Sequence, residues 1–260
     1  MTDVAAPSEI VKGYGWKPDP PDQRDRLYAA PPPVQETLPA SVDLRPQCPP
    51  VYDQGRLGSC TANGIAGAMA FDAIKQGIAG YSSPSRLFIY YNERELEGTV
   101  DTDSGAYIRD GVKSVTKQGA CFETAWPYDI TKFAIKPSDD CYQKALDHQS
   151  LEYSRVARDL TQMKGCLAEG YPFVFGFTVY ESFESPAVDA SGTVPMPLHT
   201  EAVLGGHCVV AVGYDDASAR FEIRNSWGTG WGDQGYGTMP YAYLLSRGLA
   251  SDFWTIRRVE

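Results

Sequence analysis

The chain has 260 residues, 43% of them hydrophobic, with a formal net charge of −10 and an isoelectric point of about 4.8. That is enough apolar material for one large core or two modest ones. An acidic surface without a Lys/Arg-rich run argues against nucleic acid as a partner, and no stretch approaches the roughly 20 apolar residues of a membrane span.

The opening MTDVAAPSEI has neither the basic nor the apolar region of a signal peptide. The expected location is cytoplasmic if the chain is complete, and secreted or periplasmic if a signal was removed. Eleven of the 19 prolines fall in residues 1–50. KPDPPDQRD and AAPPPVQ read as extended or polyproline II chain, unable to continue a helix. Residues 1–37 are therefore either a solvated tail or an arm lying on the surface, with Tyr14, Trp16, Leu27 and Tyr28 as its anchors.

Residues 60–76 are apolar all round (Ile65, Met69, Phe71 and Ile74 among alanines), which predicts a helix inside the core. Ser59 is a plausible N-cap and Gly77 a plausible stop. Further helices are predicted over 84–96 and 105–118, where Ile108, Val112 and Val115 share a face, with shorter ones over 139–147 and 158–169. Strand-like runs follow at 173–180, 207–214, 220–224 and 235–241, and DDAS at 215–218 suggests a hairpin. Helices first, strands later and no βαβ alternation give an α+β fold class with two lobes, about 51–150 helical and about 151–260 β-rich.

The six cysteines, at 48, 60, 121, 141, 166 and 208, form no CxxC pair. They read as buried thiols, with Cys121 and Cys141 the pair most open to a bridge. A metal site of Cys60, His207 and Cys208 is disfavoured, because adjacent strand residues point to opposite faces, so no metal and no cofactor is expected. GWGDQG at 230–235 has the form of a nucleotide fingerprint without the strand, helix and βαβ unit that fingerprint needs.

Cys60 stands at a predicted helix N-terminus, where free N–H groups stabilise a thiolate. Of the three histidines, His148 reads as surface and His199 as loop. His207 opens a strand directly after Gly205 and Gly206. Asn225 ends the next strand, one hairpin away, where its oxygen can accept the imidazole N–H. Gln54, on the loop entering the helix, and the Cys60 N–H can supply oxyanion donors. Together these residues specify acyl transfer by a thiol nucleophile.

QGRLGSC at 54–60, GGHCVVAVGY at 205–214 and RNSWGTGWGDQGYG at 224–237 resemble the active-site blocks of papain-like cysteine peptidases, and the texture is most like bacterial members. LPASVDLRP at 38–46 resembles the start of a mature domain, so the likeness spans 38–260. The resemblance implies a two-lobed endopeptidase with peptide or protein substrates. Cys60 would be the nucleophile, His207 the base and acid, Asn225 its orienter and Gln54 the oxyanion donor, with Ser59 beside the nucleophile. Trp227 would shield the His207–Asn225 bond, and Trp231 would wall one side of the cleft. Gly105, with Ser104 and Ala106 beside it, would pair with substrate. An apolar side chain would suit the second subsite, flanked by Ala106, Tyr107 and Gly206. Thr61 stands where the family usually has tryptophan, and Leu57 where many members carry a disulfide cysteine. Residues 1–37 are too short for the long helical propeptide, which leaves an intramolecular contact of the arm with the cleft or a catalytically silent peptide-binding protein as further readings; because the same triad can pass an acyl group to an amine, an amide-forming acyltransferase is a third.

Overall fold

The structure, a computed structural model, describes residues 13–260. In chain order its elements are β1 (Trp16–Lys17), β2 (Leu27–Tyr28), α1 (Pro32–Glu36), β3 (Ser41–Asp43), α2 (Cys60–Gln76), α3 (Arg86–Glu97), β4 (Ala106–Tyr107) and α4 (Ile108–Gln118). They continue with α5 (Asp139–Ala145), β5 (Ser150–Val156), α6 (Leu160–Ala168), β6 (Phe173–Tyr180), α7 (Pro186–Ser191), β7 (Val203–Asp215), β8 (Arg220–Arg224), β9 (Tyr236–Pro240), α8 (Tyr241–Leu245) and β10 (Ala250–Val259).

Helix α2 is buried from Cys60 to Ala73, as its all-round apolar pattern requires. It packs on α3 and α4 on one side and on β7 and β10 on the other, so it is the spine between a helical lobe and a sheet lobe. Gly77 takes the left-handed conformation and donates to Ala73 and Ile74, ending the helix in the way glycine permits. Ser59 occupies the N-cap position but makes no side-chain cap. Its hydroxyl is hydrogen-bonded to Tyr128 at 2.5 Å, so the expected capping bond is replaced by a tertiary one.

The sheet runs β2-β5-β10-β6-β7-β8-β9, with β3 added on β7. The hairpin expected at 215–218 joins β7 to β8. Two long strands have no clear sequence signal. β5 (SLEYSRV) is half-exposed and carries charges, while most of β10 is buried on both faces and lacks alternation. Between Ser251 and Trp254 the β10–β6 register shifts, and Asp252 there has φ 59°. Such a bulge re-aims the side chain it carries.

The proline-rich segment differs from expectation in one place. α1 begins with prolines, which the first turn of a helix tolerates because its N–H groups have no helical partner. Of the four anchors expected in the arm, Tyr14, Trp16 and Tyr28 pack on the core, whereas Leu27 is 69% exposed. His148 is half-buried and stacks on Phe122 at 4.1 Å, correcting its reading as a surface residue. All six cysteines are free thiols, Cys121 and Cys141 included. No helix among the described residues is long and apolar enough to cross a membrane.

Candidate active site

Cys60 is the first residue of α2 and is 0% exposed. Burial pushes its thiol up to about 12, and the backbone N–H groups of Cys208, Gly15 and Thr61 pull in the opposite direction. Cys208 follows His207 on β7, so the sulfur lies against the strand that carries the histidine. In this covered state the thiol is protonated.

His207 is also 0% exposed. Its Nε2 lies 2.8 Å from Oδ1 of Asn225, and the Ser226 N–H donates to the same oxygen at 2.8 Å. The second bond settles which end of the Asn225 amide faces the ring, so Nε2 carries the proton in that pair. Trp227 stacks on the imidazole at 4.7 Å and 28°. Phe177 meets the ring edge-on at 5.7 Å. Trp231, read as a cleft wall, is 3% exposed and packs against Trp227 and Phe183.

Gln54 is buried and fixed at both ends of its amide. Oε1 accepts from the Ser226 hydroxyl at 2.6 Å, and Nε2 donates to the carbonyls of Leu57 and Gly13, each at 2.9 Å. The loop carrying it is tied to the helical lobe through Asp103, which accepts from the Gly58 N–H at 3.0 Å and from the Tyr90 hydroxyl. Tyr90 in turn accepts from the Gly105 N–H at 3.1 Å. This polar clamp spans the region where Leu57 leaves no cysteine for a bridge.

Residues 13–17 run between the two walls. The Gly15 N–H donates to Gly206 at 3.1 Å, and the Gly15 carbonyl accepts from Ala106 at 2.7 Å. β1 thus adds in parallel to β4, with Trp16 opposite Ala106. Ala106 makes the hydrogen bond, and Gly105 makes room for it. A Cβ on Gly105 would stand 2.1 Å from the Gly15 oxygen, and φ there is 68°. Ser104 turns away, bonding Thr99 at 2.9 Å and its neighbour's carbonyl. Tyr14 approaches the His207 and Trp227 rings at 6.3 Å each and donates to Glu184.

Two buried carboxyl groups had no sequence signal beyond an acidic residue among apolar ones. Glu93 accepts from Thr61, the neighbour of Cys60, at 2.8 Å, and burial pushes its carboxyl well above the usual range. Asp252, 2% exposed, accepts from the Trp16 indole at 3.2 Å.

Residues 38–250 match the model of the papain family cysteine proteases. A peptidase C1-like protein of Acanthamoeba polyphaga mimivirus is 42% identical over 97% of this chain and 89% of its own length. The structure of xylellain, a cysteine protease from Xylella fastidiosa, superposes with a TM-score of 0.90 at 47% identity, covering 96% of this chain and 97% of that one. A digestive procathepsin L 3 of Tenebrio molitor shares the fold with a TM-score of 0.71 at 20% identity, over 96% of this chain and 77% of that one. The chain is a cysteine-type peptidase and belongs to the papain family.

Proposed function

We propose that the chain is an endopeptidase working through Cys60, His207 and Asn225, held closed by its own residues 13–17. The observation that carries this reading is the His207–Asn225 bond of 2.8 Å under Trp227, with His207 on β7, the strand against which α2, begun by Cys60, packs.

With Nε2 given to Asn225, proton exchange falls to Nδ1. When residues 13–17 leave, water and the helix N-terminus lower the thiol pKa, and its proton passes to the imidazole. The thiolate attacks a peptide carbonyl carbon while Gln54 Nε2 and the Cys60 N–H receive the oxyanion. The C–N bond breaks as Nδ1 protonates the amine. Water, deprotonated by the imidazole, then cleaves the thioester to a carboxylic acid and restores the thiol. The closed state is supported by the bond from Gln54 Nε2 to the Gly13 carbonyl, which occupies the same donor.

The test is hydrolysis of a peptide mixture by the parent and by Cys60→Ala. Turnover should fall by at least about a thousandfold in the variant, with the thermal midpoint near that of the parent. Turnover that persists in Cys60→Ala would contradict the nucleophile. Peptide binding without turnover in the parent would favour a silent binding protein. Amide products formed with an added amine would favour acyl transfer.

A further inference from the structure

Trp16 lies in a flat slot of the sheet wall. Glycines floor it: a Cβ on Gly176 would stand 1.9 Å from the indole Cε2, and one on Gly206 would stand 2.8 Å from Cε3. Any side chain at either position would close the slot to a bicyclic ring. At its far end Oδ2 of Asp252 receives the indole N–H at 3.2 Å and the Asp19 N–H at 2.7 Å. Its other oxygen is held by Arg155 at 2.8 Å. The bulge in β10 and the left-handed backbone at Asp252 turn this carboxylate inward.

Displacing residues 13–19 removes the indole and Asp19 N–H donors from Oδ2 and leaves the buried carboxylate short of partners. Arg155 remains on Oδ1, so the carboxylate is already ion-paired and a second cation gains little there. A phenyl or aliphatic side chain fills part of the slot but supplies no donor. A neutral planar group with an N–H on its far edge satisfies both the walls and the oxygen. We infer that this slot is a tryptophan-selective subsite, with Asp252 reading the indole N–H, and that substrates carry tryptophan where the arm carries Trp16. This deepens the endopeptidase reading and rests on it for the word substrate.

The reagent is the full-length Trp16→Ala protein, with Gly15→Ala added throughout, so that the slot is emptied and the strand cannot dock. Peptides that differ only at the residue expected beside Ala106 and Gly206 would carry tryptophan, 1-methyltryptophan, phenylalanine, leucine or arginine. We expect kcat/KM for tryptophan to exceed that for each of the others by at least about tenfold, because a site built to bond an N–H rejects analogues without it. In Trp16→Ala/Asp252→Ala the tryptophan to 1-methyltryptophan ratio should fall to about one. Equal rates for those two peptides, or a preference for arginine, would overturn the inference. The 1-methyltryptophan comparison stands even if the Asp252 variant does not fold. Binding of the same peptides to Cys60→Ala/Trp16→Ala separates the two claims. Tryptophan-selective binding with no turnover by Trp16→Ala would uphold the slot against the peptidase reading. Turnover without selectivity would do the reverse.

Discussion

Two stretches of the N-terminal segment differ in how much buried charge holds them. Residues 13–17 bind mainly through backbone, to Gly206, Ala106 and Gln54, in the manner of a strand added to an edge. Residues 22–30 add buried side-chain bonds to the backbone pairing of β2 with β5, where Arg26 accepts from the Arg155 N–H at 2.7 Å. Asp25 bridges Arg109 at 2.6 Å and Arg155 at 2.9 Å, and Tyr28 donates to Glu169 at 2.6 Å. Backbone pairing can be exchanged for another peptide's backbone, whereas a buried ion pair specific to one sequence cannot. On the proposed function, the first stretch is an exchangeable occupant and the second a tether.

The sharpest way to break this comparison is Gly15→Ala. A Cβ there would stand 1.7 Å from the Gly58 carbonyl, so the strand cannot dock while the tether is untouched. If the docked strand limits access as proposed, peptide hydrolysis should rise by at least about tenfold, and the thermal midpoint should change little. Unchanged hydrolysis would mean that residues 13–17 do not limit access.

The converse change is Asp25→Ala. Its carboxylate is 6% exposed, and removing it leaves two guanidinium groups facing each other. We expect a loss of about 3 kcal/mol, seen as a fall of about 6–10 °C in the thermal midpoint. A loss within 1–2 °C would show that the tether contributes little.

The junction between the stretches is Asp19, and it gives the smallest effect. Burial and the nearby Asp252 raise its carboxyl pKa, while the Trp254 and Arg109 N–H groups and the Arg109 charge oppose the shift. Because the docked value lies above the free one, docking is favoured when Asp19 is protonated and weakens as pH rises above the ordinary carboxylate range. Cys60 alkylation should therefore rise with pH more steeply in the parent than in Asp19→Asn, by a factor of about three between pH 5 and 8. Identical slopes in the two proteins would remove Asp19 from the account.

The comparison also explains what was legible in the sequence. Cys60, His207, Asn225 and Gln54 could be read as candidates because each sits near a local landmark: a helix start, a glycine pair, a strand end, a glycine-rich loop; the strand expected to open at His207 in fact begins at Val203. The central helix was legible from its all-round apolar pattern. The path of residues 13–19 was not, because parallel pairing with β4 and bonds to Gly206 join positions far apart in the chain. Asp252 was invisible for a related reason. It lies in a strand without alternation, and its orientation comes from a bulge. Ser59 shows the opposite failure: the local signal named a cap, and Tyr128 claimed the hydroxyl.

The central claim is that a competent thiol lies beneath an exchangeable strand. Its most direct test is intact mass after brief exposure to a substoichiometric peptidyl epoxide, on the parent and on Gly15→Ala. The account predicts a single adduct mapping to Cys60 in both, formed at least about tenfold faster in the variant. Equal rates in the two proteins, or an adduct on another cysteine, would contradict it.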